Sequence, residues 1–215
     1  MAGGLGTLDD TNLGRFAQAS IPGRNGKADP ESVSWGGVHV DFAKVISTVA
    51  VFFEENDQPF AVIGGLAMAA YGLGRTTLDV DVVTSSEAQD SLVDFLEAEG
   101  YETLHRSSGY SNHLHTNPDL GRVDVVYVRG NTSRRLFDAA RLVAGPSGST
   151  VPVLSAEHLA AMKIFAMKND PTRTLAELED IRFLLTLPDI DRDEIRGSFE
   201  KHGLGDLYAE LERSG

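Results

Sequence analysis

Apolar positions recur at helical spacing over Val38–Asn56, at Val38, Phe42, Val45, Ile46, Val49, Phe52 and Phe53. This pattern predicts a helix, with Asp41 assisting its start. The short apolar run Phe60–Ile63 predicts a buried strand. Gly64-Gly65 follows at once, then a small-residue stretch, Leu66–Tyr71, that predicts a short helix ended by Gly72 and Gly74. Leu78–Val83 alternates Asp with Leu and Val, which predicts a strand carrying Asp79 and Asp81 on one face and Leu78, Val80 and Val82 on the other. Thr84-Ser85-Ser86 reads as a cap for an amphipathic helix over Glu87–Glu99, with Leu92, Phe95 and Leu96 inside and Gly100 ending it.

Tyr101–His105 and Ser111–Thr116 predict two strands joined by a Ser-Ser-Gly turn, and Arg122–Val128 a third. Ser133–Leu142 reads as a helix flanked by Arg134, Arg135 and Arg141, either a solvated face or a receiver for an acidic acceptor such as RNA. Thr150–Leu154 is a short strand. Beyond it only helical patterns remain: Ala156–Lys168 capped by Ser155, Thr172–Leu187 after the Asp170-Pro171 break, Arg192–Lys201 and Leu204–Arg213. The expected class is α/β: a small mixed sheet with helices over about 38–154, followed by a helical C-terminal subdomain over 155–215. Met1 to about Gly37 is Gly-rich and polar and reads as an irregular arm.

Composition narrows the function. The 215 residues include no cysteine, which excludes disulfides and thiolate metal sites. No apolar segment is long enough for a membrane span, and no basic-then-apolar leader pattern opens the chain, so a soluble cytoplasmic protein without a membrane partner is expected. The net charge of −13 disfavours non-specific DNA binding but leaves RNA open, because a local basic patch can act alone.

The chemistry concentrates in Phe60–Thr84. Glycines after a buried strand let the chain turn sharply and let a ligand approach the backbone. The free N–H groups that begin the next helix suit a phosphate. Two aspartates side by side on a strand repel each other, and a divalent cation relieves that repulsion. Hard oxygen ligands suit magnesium, or manganese, together with nucleotide phosphate.

This stretch resembles the first motif of the nucleotidyltransferase superfamily, the polymerase-β-like fold. It is most similar to the GG-x-A…R-x-T-x-D-x-D version found in AbiEii-type toxin nucleotidyltransferases. The matching residues are Gly64, Gly65, Ala67, Arg75, Thr77, Asp79 and Asp81. The resemblance implies a third carboxylate on a neighbouring strand in an apolar-Asp-apolar setting, which Val123-Asp124-Val125 supplies. It also implies a Leu-x-x-x-Lys-x-x-Ala helix, an Arg, and a following acidic helix. Leu159, Lys163, Ala166, Arg173, Asp180 and Ile181 match these, while Ala176 departs from the usual Lys and Glu177 from the usual Asp. The similarity covers about Phe60–Leu185.

On that resemblance, Asp79, Asp81 and Asp124 hold the metal and form the catalytic core. Gly64, Gly65, Arg75, Thr76 and Lys163 bind the nucleotide, and Asp180 orients Lys163. The implied activity is NMP transfer from an NTP such as ATP to an acceptor hydroxyl, a tRNA 3′ end or a protein side chain, by a toxin with a cognate antitoxin. Two alternatives stay open: a small-molecule transferase of the aminoglycoside-modifying kind, and a non-catalytic nucleotide-binding or antitoxin-like module. His113 and His115 lie two apart and read as partly exposed histidines on one strand face, since nothing nearby completes a metal site.

Overall fold

The computed structural model describes residues 40–74, 76–145 and 148–214. The N-terminal arm, residues 1–37, therefore lies outside the described residues, as does Arg75. The chain forms two compact units, with the change from one to the other after Leu154.

The first unit is built on a seven-stranded mixed sheet of order β3-β4-β5-β2-β1-β7-β6. The strands are β1 (Phe60–Val62), β2 (Asp79–Ser85), β3 (Tyr101–Arg106), β4 (Tyr110–His115), β5 (Arg122–Val128), β6 (Arg141–Ala144) and β7 (Thr150–Val153). β2 runs antiparallel to β1 and parallel to β5. The Val-rich sequences of β2 and β5 explain their central place: Val80, Val82, Val83, Val123, Val125 and Val126 are all at most 1% exposed. Helix α1 (Phe42–Glu55) is capped by Asp41, whose carboxylate accepts from the Lys44 amide at 3.0 Å. α2 (Gly64–Ala70) follows β1 directly, α3 (Gln89–Ala98) precedes β3, and α4 (Gly130–Asp138) follows β5. α1 and α3 cover the sheet face opposite Asp79 and Asp81. There Phe53 of α1 stacks on Phe60 with ring centroids 4.5 Å apart, and Thr103 of β3 donates to Glu97 of α3 at 2.7 Å.

Three sequence expectations change. Thr84 and Ser85 are the end of β2, and Ser85 stands at the N-cap of a short 3-10 turn, Ser86–Ala88, without a side-chain cap hydrogen bond; the two hydroxyls donate to the Pro59 carbonyl at 2.7 Å and to Gln58 Oε1 at 3.1 Å. The helix expected over Ser133–Leu142 ends at Asp138, and Arg141–Ala144 pairs antiparallel with Thr150–Val153 as the sheet's edge. A hairpin partner only a few residues downstream outweighs the weak helical pattern there. His113 is fully buried instead of partly exposed.

The burial of His113 follows from its partners. Its Nδ1 lies 3.1 Å from Thr103 Oγ1 and its Nε2 lies 2.7 Å from Ser111 Oγ, which in turn sits 2.7 Å from the Tyr127 hydroxyl. Because Thr103 spends its proton on Glu97, it must accept from Nδ1–H, which assigns the neutral tautomer with Nε2 accepting from Ser111. Burial, with a smaller contribution from the Arg106 charge, lowers the His113 pKa from 6.5 to about 4. The unfolded chain therefore takes up a proton between these values while the folded one does not. The stability at stake is complete above 6.5 and is lost as pH falls toward about 4, by about 3 kcal/mol. Urea unfolding of the wild type should show this loss, and His113→Gln, which keeps a donor and an acceptor, should flatten it. Parallel pH profiles for the two proteins would contradict the assignment.

The second unit holds four helices among its described residues: α5 (Ala156–Asn169), α6 (Thr174–Leu184), α7 (Arg192–Lys201) and α8 (Gly205–Ser214). Ser155 and Asp191 cap α5 and α7 by accepting from the His158 and Glu194 amides. Ile164, Ile181, Leu184, Ile195 and Phe199 form its core, each 0% exposed. Among the described residues no helix is long and apolar enough to cross a membrane.

Candidate active site

β2 and β5 lie parallel and in register, with Asp81 beside Asp124 and Asp79 beside Arg122. Paired residues in a parallel ladder point to the same face, so the three aspartates converge. One oxygen from each of Asp79, Asp81 and Asp124 lies within 4.8 Å of the others. Asp79 and Asp124 are buried and Asp81 is half-buried.

Neighbouring side chains hold the carboxylates in place. Thr77 Oγ1 donates to Asp79 Oδ1 at 2.5 Å. Arg122 Nη2 reaches Asp79 Oδ2 at 3.0 Å, and its Nε lies 3.4 Å from Asp124 Oδ1. Asn112, opposite Asp124 on β4, donates to the same Asp124 oxygen at 2.7 Å, and the Tyr110 hydroxyl lies 3.4 Å from the Asn112 amide. Burial raises the Asp124 pKa above the ordinary aspartate value; Asp79 adds to the rise, while Arg122 and Asn112 oppose it. Burial, and then the Asp124 charge, also push the Tyr110 phenol upward. For Arg122, burial works against the charge, but Asp124 and Asp79 outweigh it and hold the pKa above its ordinary value.

The glycine pair lies against these groups. Gly64 has φ +62°, and a Cβ there would fall 1.9 Å from Asp81 Oδ2. A Cβ on Gly65 would meet the Thr77 Cβ at 2.9 Å. Any side chain at either position would displace the site, so the bare backbone of the turn is what allows the carboxylates to sit there. A set of three carboxylates, all hard oxygen donors without nitrogen or sulfur, fits a small hard divalent cation.

The second unit has its own charge cluster. Lys163 Nζ donates to Asp180 Oδ2 at 2.5 Å and to Glu177 Oε2 at 2.9 Å, and Arg173 pairs with Glu177 from the exposed side. Lys163, Glu177 and Asp180 are 8%, 5% and 4% exposed. Burial alone would raise the Glu177 pKa, but Lys163 and Arg173 overcome it and hold the carboxyl below the usual glutamate range.

Of the residues expected from the sequence, the structure gathers Asp79, Asp81 and Asp124 against Gly64 and Gly65, and separately pairs Lys163 with Asp180. Thr76 is exposed, whereas its neighbour Thr77 is buried against Asp79. Arg134 and Arg135 are exposed on α4, and Arg141 lies over the Tyr71 ring, 5.5 Å from its centroid. Sequence reasoning missed Arg122, Asn112 and Tyr110. Period-two counting from Asp124 reaches Arg122, but Asn112 and Tyr110 require the β4–β5 register, which no local signal supplies.

No protein-family model matches the chain, and no curated protein matches it in sequence. Solved structures do. The antibiotic-resistance factor ANT(2'')-Ia superposes with a TM-score of 0.58 over 80% of this chain and 95% of its own, at 16% identity. The complex of ANT(2'')-Ia with adenylyl-2''-tobramycin gives 0.57 over 77% and 98%, at 15% identity. An antigenic nucleotidyltransferase-like protein from Paracoccidioides brasiliensis gives 0.51 over 79% and 91%, at 17% identity. This chain has a nucleotidyltransferase fold. Within that fold, Asp79 and Asp81 occupy a central strand and Asp124 the strand beside it.

Proposed function

We propose that this nucleotidyltransferase-fold protein is a metal-dependent enzyme that transfers a nucleoside monophosphate from an NTP to an acceptor hydroxyl. The observation that carries the reading is the convergence of Asp79, Asp81 and Asp124 within 4.8 Å beside a glycine turn. A divalent ion such as magnesium, held by these carboxylates, would supply charge neutralisation for the triphosphate. The Gly64-Gly65 backbone receives phosphate oxygens. Asp124, on the strand beside Asp81, takes the proton of the attacking hydroxyl. A bond forms from that oxygen to the α-phosphorus, the bond from the α-phosphorus to the bridging oxygen breaks, and pyrophosphate leaves. Arg75 neutralises phosphate charge, and within the second unit Asp180 orients Lys163; the ion pair formed between Lys163 and Asp180 supports the last assignment.

The motif pattern from Gly64 to Asp81 and from Leu159 to Ile181 favours an acceptor of the toxin type, a tRNA end or a protein hydroxyl, with a cognate antitoxin as partner. A second reading, a small cationic drug as acceptor, draws on the net charge of −13 and on the fold shared with ANT(2'')-Ia. Incubation with α-labelled NTPs, magnesium and either total tRNA, a soluble protein extract or an aminoglycoside separates them. Label in RNA or protein supports the toxin reading. Label in the aminoglycoside alone overturns it in favour of the second.

A further inference from the structure

We propose that Arg122 is the resident counter-cation of the carboxylate site, and that a divalent metal gains Asp79 and Asp124 only in exchange for it. The proposal rests on the metal-site reading above. Arg122 opens β5, and the register with β2 sets it beside Asp79 on the carboxylate face. Its flat guanidinium fork reaches both aspartates at once, through Nη2 at 3.0 Å and Nε at 3.4 Å. Those are two of the three carboxylates whose oxygens a metal ion would need. One group therefore holds the ligands in place and competes for them.

The side chain of Arg122 is 27% exposed while those of Asp79 and Asp124 are 5% and 9% exposed. The guanidinium thus stands at the solvent edge of a buried anionic pair, free to turn toward a new anion. A triphosphate supplies one, and also supplies oxygens to the metal. Arg122 in this way couples the two ligands: free metal binds weakly, and nucleotide strengthens metal binding by taking up the displaced guanidinium. Linkage requires metal to strengthen nucleotide binding by the same factor.

The test is a Mn2+ titration of the full chain, followed by electron paramagnetic resonance, with and without a non-hydrolysable NTP analogue. Without nucleotide, Arg122→Gln should bind Mn2+ about tenfold more tightly than wild type, because a unit charge has left the site. The same variant should lose most of the further tightening that the analogue gives wild type. Arg122→Lys, a point charge that serves one carboxylate at a time, should fall between the two. If Arg122→Gln does not fold, as judged by circular dichroism, the comparison of Arg122→Lys with wild type decides, tighter binding supporting the proposal. Equal or weaker Mn2+ binding in the folded Arg122 variant overturns it. Asp81→Asn serves as the control: if it leaves Mn2+ affinity unchanged, the metal-site reading itself fails and takes this proposal with it.

Discussion

Asp81→Asn should lower NMP transfer by on the order of a thousandfold while leaving the fold intact. The substitution keeps the shape of the side chain and removes its charge from a site whose other members are Asp79 and Asp124. Of the three, Asp81 is the half-buried one, and it faces the Gly64 turn. Removing one of three mutually repelling carboxylates lowers repulsion in the metal-free protein, so the melting temperature should hold or rise. The opposite movement of activity and stability is the signature of a functional carboxylate. Asp79→Asn should also disturb Thr77 and Arg122, both of which Asp79 binds. Initial rates of α-label incorporation together with thermal melts measure the two effects. An Asp81→Asn protein with wild-type rates would remove the carboxylate cluster from the mechanism.

Lys163→Met should produce the largest loss of stability, about 3–5 kcal/mol, because it withdraws the ammonium between two buried carboxylates. In the second unit that loss corresponds to a fall in melting temperature on the order of 20 °C. Arg173 still pairs with Glu177, which places the expected value toward the lower end. The pH dependence gives a second readout. Glu177 has a folded pKa below its ordinary value of 4.5, so the stability it contributes is present above 4.5 and is lost as pH falls through the lower folded value. Without Lys163 that depression shrinks, and the deficit of Lys163→Met relative to wild type should narrow in acid. Chemical unfolding at neutral pH and below the carboxylate range measures it. A deficit of constant size across pH would show that lost packing of the Lys163 stem, and not charge, sets the cost.

The elements that bury strong patterns were legible in the sequence. The Val-rich alternation of Arg122–Val128 gave β5 with its observed bounds, and Asp79 with Asp81 followed from period-two spacing. The pairing of Lys163 with Asp180 was implied only through the family resemblance, since helical spacing alone cannot say which residues of two helices meet. Arg141 and Leu142 fall in the predicted helix because an edge strand four residues long carries little pattern of its own. The residues that hold Asp124 were illegible for a related reason. Asn112 and Tyr110 gain their meaning from strand register, and so does His113, expected to be partly exposed but buried on the opposite face by its partners Ser111 and Thr103.

The phosphate that moves distinguishes nucleotidyl transfer from other NTP chemistry. Parallel reactions with α-labelled and γ-labelled NTP, magnesium and a mixed pool of tRNA, soluble protein and aminoglycoside identify it directly. The expected result is α-label in an acceptor, γ-label released in pyrophosphate in equal amount, and loss of both with Asp81→Asn. Transfer of γ-label, release of orthophosphate, or no nucleotide bound at all would contradict it.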